Sequence, residues 1–384
     1  MRIASRLDRL PPYMFAELDR KIEEKRAAGV DVISLGVGDP DTPTPEHVVE
    51  ALREAATDPA THRYPSYFGM PELRRAIAGH YRERFGVELD PDAEVQPLIG
   101  SKEGLAHLPI AFVDPGDEAL VPDPGYPVYA SSTTLAGGTP VAFPLHADRG
   151  FLPDLDAMPT GDRARILWMN YPSNPTAAVA DLAFLERAVA FAREHDLLLV
   201  HDAAYSEMTY EGYVAPSVLQ VPGAKDVAIE FGSVSKTHNM TGWRVGWAVG
   251  SPEAVRALAQ VKTNIDSGIF DAVQRAAIAA ITGPQDHLER LRALYQKRRD
   301  VVIATLNDLG WDLEPPKGSF YIWFPTKGGM GSAEFCDLVL ERTGVVISPG
   351  SGYGAGGEGY ARISLTVPDD RLQEAMDRFR EALS

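Results

Sequence analysis

Short apolar runs alternate with stretches of helical periodicity from about residue 95 to 250. The runs fall at 95–99, 119–121, 139–143, 166–169, 197–200, 227–231 and 247–249. Each is too short for a helix, and several together suit strands. The run at 197–200 is apolar throughout, as expected of a strand covered on both faces. Turn residues follow the runs, and helical patterns follow the turns, as at 105–112 and 182–195. Repeated strand–turn–helix units predict a mostly parallel sheet flanked by helices. Upstream, helices are expected at 13–29, ending at Gly29, at 46–56, and after an aromatic loop at 62–74, ending near Gly86. A short strand is expected at 32–35. Beyond 250, helices run from Pro252 to Leu309, with a long one from Pro284. Strands at 318–324 and 360–366 and helices at 332–342 and 371–383 then describe a second, smaller α+β unit.

Length supports two units, because 384 residues exceed one ordinary core. The net charge of −17, with no basic tract, argues against nucleic acid and anionic membranes, which both require clustered Lys and Arg. An acidic chain that binds an anion must gather positive charge locally, so single cationic residues become informative. The lone cysteine, Cys336, allows no intrachain disulfide, and its apolar neighbours Phe335, Leu338 and Leu340 predict a buried structural thiol. No stretch approaches the ~18 apolar residues of a membrane span. The N-terminus carries arginines but no apolar run, so no secretory signal is read and the cytoplasm is the expected compartment.

The densest chemistry lies between the last two runs, where Ser233, Ser235 and Lys236 are followed eight residues later by Arg244. Lys236 is either a solvated loop lysine or a reactive amine. The amine reading joins its neighbours: an amine forms a Schiff base with an aldehyde, and hydroxyls with a guanidinium hold a phosphate. Pyridoxal phosphate is the cofactor that fits. Gly100, Ser101 and Lys102 stand between a strand and a helix, the geometry of a phosphate cup, though such turns also occur without a ligand. Tyr126, between Pro124 and Pro127, is suited to stacking on a flat ring. Asp202 ends a buried run, where α/β sheets place ligands. His201 reads as its packed neighbour, and no second His or Cys stands at ligand spacing, so no metal is expected. The turn-rich segment 36–45 offers backbone to a ligand or is a surface loop. Tyr64 and Tyr67 read equally well as interface packing. Gly352, Gly354 and Gly357 match a dinucleotide fingerprint, but they precede a strand instead of following one. A flexible loop at 350–359 that brings Arg362 to the site is expected instead. Arg362, in an apolar strand, needs an anion, either a substrate carboxylate or a buried acid.

Asn174-Pro175, Asp202 with Tyr205, Ser233-x-Ser235-Lys236 with Arg244, and Arg362 resemble, in order and spacing, the class I/II aminotransferases of fold type I. The resemblance spans nearly the whole chain. It implies an N-terminal arm and part of the small domain at 1–45, a large cofactor-binding domain at 46–283 and a small C-terminal domain at 284–384. It further implies that Lys236 holds pyridoxal phosphate and shuttles the proton. Asp202 would pair with the pyridine nitrogen, so that the ring serves as an electron sink. Tyr205 and Asn174 would bond the phenolic oxygen, and Tyr126 would stack on the ring. Ser101, Lys102, Ser233, Ser235 and Arg244 would surround the phosphate. Tyr64 would reach the partner subunit's phosphate, making a homodimer with shared sites. Arg362 would bind the substrate α-carboxylate, helped by the Gly38 backbone. The expected reaction is ping-pong: an amino acid leaves as its 2-oxo acid, and a second oxo acid takes up the amino group.

Segments 10–17, 36–41, 63–67 and 261–268 resemble more narrowly a subgroup that transfers the amino group of glutamate to tetrahydrodipicolinate. The product is LL-diaminopimelate, for lysine and cell-wall synthesis. By that likeness Tyr13, Lys102, Tyr126, Asn174 and Asn264 would meet substrate, Asn264 from the other subunit. One departure is Ala177, where the family usually carries Gly after Thr. Relatives acting on aspartate, alanine or aromatic amino acids share nearly the same motifs. A β-elimination lyase on this fold would also keep Lys236 and Asp202, so these alternatives stay open.

Overall fold

The computed structural model describes residues 2–11 and 14–383. Its central sheet has seven strands: β1 (Val95–Leu98), β2 (Glu118–Asp123), β3 (Thr139–Pro144), β4 (Ala164–Asn170), β5 (Leu198–Asp202), β6 (Ala228–Ser233) and β7 (Gly246–Gly250). They lie in the order β1-β7-β6-β5-β4-β2-β3. β7 is antiparallel to both neighbours and the other pairs are parallel. Each of the seven expected runs is a strand of this sheet.

Alternate side chains of a strand point to opposite faces. In β4, Ile166 and Trp168 enter one core while Leu167 and Met169 enter the other, which is why the run has no polar position. The helix Ser101–Phe112 covers the first face with Leu105 and Leu108. The helix Leu182–Glu194 covers the second with Leu185, Ala188, Val189 and Ala192 at helical spacing. Asp181 Oδ1 caps it, accepting the Phe184 N–H at 2.7 Å. The helix expected from 105 starts four residues earlier, at Ser101. Gly100 takes φ 76°, which lets the chain turn directly from strand end into helix.

The C-terminal unit is built on a three-stranded antiparallel sheet of β8 (Tyr321–Pro325), β9 (Ser348–Pro349) and β10 (Tyr360–Ser364), in the order β9-β10-β8. The helices Asp286–Asp308, Ser332–Thr343 and Asp369–Leu383 pack on it through Tyr295, Phe335, Val339, Met376 and Phe379. Cys336 lies in this core as a free, buried thiol, and burial pushes its pKa well up. Ile33 and Leu35 join the same core, because Ile33–Ser34 pairs parallel with Val345–Val346. Residues 36–41 are therefore suspended between the two units.

One expectation is corrected here. Residues 350–359 do not form a flexible loop but fold as two short 3-10 turns, Gly350–Tyr353 and Ala355–Gly357. Their backbone bonds to the end of β2 (Gly125 N–H to Tyr353 O, 2.8 Å). Among the described residues, no helix is long and apolar enough to cross a membrane.

Candidate active site

Three adjacent parallel strands end in polar residues: β4 in Asn170, β5 in Asp202 and β6 in Ser233. Asn170 stands opposite Asp202 in register, and its Nδ2 donates to Asp202 O at 2.7 Å. Parallel sheets place ligands at this edge. A cavity of about 290 Å³ opens there, lined by Gly38, Ser101, Lys102, Tyr126, Asn174, Asp202, Tyr205, Ser233, Ser235, Lys236, Arg244 and Arg362. Lys102, Lys236, Arg244 and Arg362 face the single carboxylate of Asp202 among the described lining residues. A chain of net charge −17 thus collects cations in one place.

Lys236 sits on the one-turn helix Val234–Thr237 directly after β6. Ser233 Oγ caps this turn, accepting the Ser235 N–H at 3.0 Å and donating to Val245 O at 3.0 Å. The Ser233 hydroxyl therefore lines the cavity with its proton already given to backbone. Lys236 Nζ donates to Gly38 O at 2.9 Å. Burial lowers its pKa to about 8, with Arg362 and Arg244 acting in the same direction and Asp39 opposing them. The shift favours the neutral amine that a nucleophile or proton acceptor needs.

Asp202 is buried, and Oδ2 accepts the Tyr129 hydroxyl at 2.8 Å. Burial raises its carboxyl pKa, while Tyr129, the Ala204 N–H and His201 act against that rise. His201 turns to Glu230, Nδ1 to Oε2 at 2.9 Å. Glu230 also accepts from Tyr81 Oη, Ser217 Oγ and Val218 N–H, which satisfies a carboxylate buried within the sheet.

Arg362 is 1% exposed. Nη1 donates to Asn174 Oδ1 and Nη2 to Gly36 O, each at 2.6 Å. Its Cζ lies 4.0 Å from the Tyr321 ring centroid and 4.9 Å from that of Tyr353. These contacts are with an amide, a carbonyl and two aromatic rings. Tyr205 Oη meets Tyr321 Oη at 3.0 Å.

The opposite wall is a cradle for an anion. A Cβ at Gly100 would lie 2.2 Å from Arg244 Nη2, so the guanidinium occupies space that a side chain would fill. Arg244 is itself held at φ 60°, with Nη1 donating to Thr241 O at 2.7 Å. The guanidinium, the Ser101 and Ser235 hydroxyls and the free N–H groups of the helix starting at Ser101 suit a phosphate dianion. Together with an amine of lowered pKa and a buried carboxylate, these residues fit pyridoxal phosphate.

Two expected site residues are not brought to this cavity. Tyr64 is 89% exposed and outside it. Asn264 is also exposed, its Nδ2 donating to Gln260 O at 2.8 Å. Tyr13 lies outside the described residues. Glu103, His107 and Asp266 converge as metal ligands would, but the buried Lys262 ammonium bonds Asp266 at 2.7 Å and Glu103 at 3.4 Å. The positive charge there is internal. Reading the chain alone missed Tyr129, Asn170 and Tyr321. Asn170 carried a usable signal, a polar residue closing an apolar run as Asp202 does. Tyr129 and Tyr321 carried none, because aromatics in a helix and a strand read as packing.

A lysine, a carboxylate and a phosphate cradle at the carboxyl edge of such a sheet define a class of enzyme. Residues 30–379 match the family model of aminotransferase class I and II, and the chain belongs to that family, whose members use pyridoxal phosphate. It is 59% identical over 382 residues to the LL-diaminopimelate aminotransferase of Desulforudis audaxviator (strain MP104C), covering 99% of this chain and 97% of that one. It is 56% identical over 385 residues to the enzyme of the same name from Moorella thermoacetica (strain ATCC 39073 / JCM 9320), covering 100% and 99%. A substrate-bound BacF structure from Bacillus subtilis superposes with a TM-score of 0.95 at 38% identity, covering 99% of this chain and 98% of that one.

Proposed function

We propose that this chain transfers the α-amino group of glutamate to tetrahydrodipicolinate, the LL-diaminopimelate aminotransferase reaction, by a ping-pong mechanism. The observation that carries the reading is full-length identity of 59% and 56% to two enzymes of that name, on a chain whose cavity holds the required groups. Pyridoxal phosphate, when bound, supplies an aldehyde that accepts the amino group and a ring that spreads negative charge. Lys236 would hold the cofactor and then, as a neutral amine, take up the proton from the amino-acid Cα. Asp202, whose ionised form the Tyr129 hydrogen bond favours, would hold a proton on the ring nitrogen. Arg244 and Lys102 would offset the phosphate charge and Ser101 and Ser235 would donate hydrogen bonds to it, with Ser233 fixing the turn that carries Ser235 and Lys236. Tyr126 would stack on the ring, and Tyr205 and Asn174 would bond its phenolic oxygen. Arg362 takes the substrate carboxylate, held in plane by Asn174 and Gly36 O. A cleft of about 980 Å³ adjoins the site through Lys102 and Tyr126, and it gives room for a long diacid.

We further propose a cytoplasmic homodimer. Tyr64, Tyr67, Phe68, Ile265 and Phe270 are exposed, and the two loops that carry them meet at Gly268 and Ser66. Such a patch on one chain marks an interface. Tyr64 and Asn264 lie on these same loops, where they face a partner's site instead of their own. Tyr13 completes the set of substrate contacts implied by the likeness.

A half-reaction panel tests the function. Single amino acids are added to the cofactor-loaded enzyme and its visible absorbance is followed. Rapid loss with LL-diaminopimelate and with glutamate is expected. Response to alanine, aspartate or aromatic amino acids but not to diaminopimelate would keep the class and discard the substrate. Sustained release of pyruvate and ammonia would instead identify a β-elimination lyase.

A further inference from the structure

We propose that Asp123 is a positioning residue for the carboxylate-binding site, acting through the glycine-rich segment 350–357 to hold the Tyr353 ring on Arg362. The inference rests on the reading that Arg362 binds the substrate carboxylate.

Asp123 is the last residue of β2, three before Tyr126. Its Oδ1 accepts the Gly356 N–H at 2.7 Å, and the nearby Gly125 N–H donates to Tyr353 O at 2.8 Å. One corner of the large sheet therefore grips both 3-10 turns of the segment. The glycines make this approach possible. A Cβ at Gly354 would lie 2.2 Å from Asp123 Oδ1, and one at Gly356 would lie 2.7 Å from Asp123 O. A Cβ at Gly357 would lie 2.0 Å from Gly350 O. Two of the glycines that imitate a dinucleotide fingerprint thus meet close neighbours, Gly354 the Asp123 carboxylate and Gly357 the Gly350 backbone.

The grip fixes Tyr353, which is buried between the Trp323 edge (5.9 Å, 85°) and the Arg362 guanidinium. The Tyr321 ring also lies against Arg362, its centroid 4.0 Å from Cζ. With two rings against it and 1% exposure, the guanidinium is kept from water while its N–H groups remain for hydrogen bonding. If the grip is lost, substrate itself must order the segment. That cost falls on binding, so KM rises while kcat holds.

The test compares Asp123→Ala, Asp123→Asn, Gly354→Ala and Arg362→Ala in the cofactor-loaded enzyme. The measurements are kcat, KM for the amino acid and the oxo acid, pyridoxal phosphate affinity and thermal midpoint. Loss of a hydrogen bond to a carboxylate predicts about a tenfold rise in both KM values for Asp123→Ala. Its kcat should stay within about twofold and cofactor affinity should not change. Gly354→Ala should show the same split, and Asp123→Asn, which keeps an acceptor oxygen, should recover most of the loss. Wild-type KM in Asp123→Ala, with KM raised in Arg362→Ala, overturns the role of Asp123 alone. Parallel falls in kcat, cofactor affinity and midpoint across the Asp123 and Gly354 variants also overturn it, since they describe general destabilisation. Unchanged KM in Arg362→Ala removes the reading beneath it, and this inference with it.

Discussion

Replacing Lys236 by Met in the cofactor-free protein should stabilise it, by an amount that depends on pH. The lysine is partly buried, and loss of contact with water lowers its pKa from 10.5 to about 8. The folded state thus binds its proton more weakly than the unfolded state. Below pH ~8 both states are protonated and the full penalty applies; as pH rises from ~8 through 10.5 the unfolded state also loses its proton and the penalty disappears. A shift of this size corresponds to roughly 3 kcal/mol at pH 7, about 2 at pH 9 and under about 1 at pH 10. Met also loses the 2.9 Å bond from Nζ to Gly38 O, which returns roughly 1 kcal/mol. The net expectation is a gain of about 2 kcal/mol at pH 7, shrinking to nothing by pH ~10. Urea unfolding of both proteins, stripped of cofactor, at pH 7, 9 and 10 measures it. A variant less stable at pH 7, or a difference that ignores pH, would refute the claim that the fold holds this amine against its preference.

Three further outcomes follow from the geometry. Gly100→Ala must displace the Arg244 guanidinium, whose Nη2 lies 2.2 Å from the new Cβ, at a residue already at φ 76°. Losing a charge-assisted bond of ~1.5–3 kcal/mol should weaken pyridoxal phosphate binding about ten- to hundredfold, as read by absorbance titration. Ala177, the residue that departs from the family pattern, is buried at φ 59°. Ala177→Gly relieves ~1–2 kcal/mol of strain that roughly offsets the lost methyl and the added chain entropy, so stability should stay within about 1 kcal/mol. Ala177→Val should lose more than about 2 kcal/mol in the same unfolding assay. Tyr129→Phe removes the 2.8 Å bond to Asp202 Oδ2, so the carboxyl pKa rises further. Cofactor affinity should then fall several-fold, and its loss on acidification should begin at higher pH; an unchanged pH profile would remove Tyr129 from this role.

Much of the fold was legible along the chain because burial on both faces of a parallel sheet leaves a local trace. Runs such as 166–169 and 197–200 are apolar at every position, and the residues that end them, Asn170 and Asp202, reach the ligand edge with no long-range information. Lys236 and Arg244 were visible for a similar reason, since one turn and one short loop carry the amine and the guanidinium. Contacts made across the chain left no such trace. That Tyr129 meets Asp202, that Arg362 rests on Asn174 and Gly36 O beside two tyrosines, and that Asp123 pins Gly356 are facts of packing between distant segments. The glycines at 352, 354 and 357 show the limit most directly. Their composition reads as freedom, yet they lie in or between two tight turns, where a missing Cβ lets Gly354 approach the Asp123 carboxylate and Gly357 the Gly350 backbone. Residue types and spacing determined which groups this protein carries and the edge they reach; only tertiary packing decided their partners, because hydrogen bonds and ring contacts form between surfaces that the linear pattern does not order.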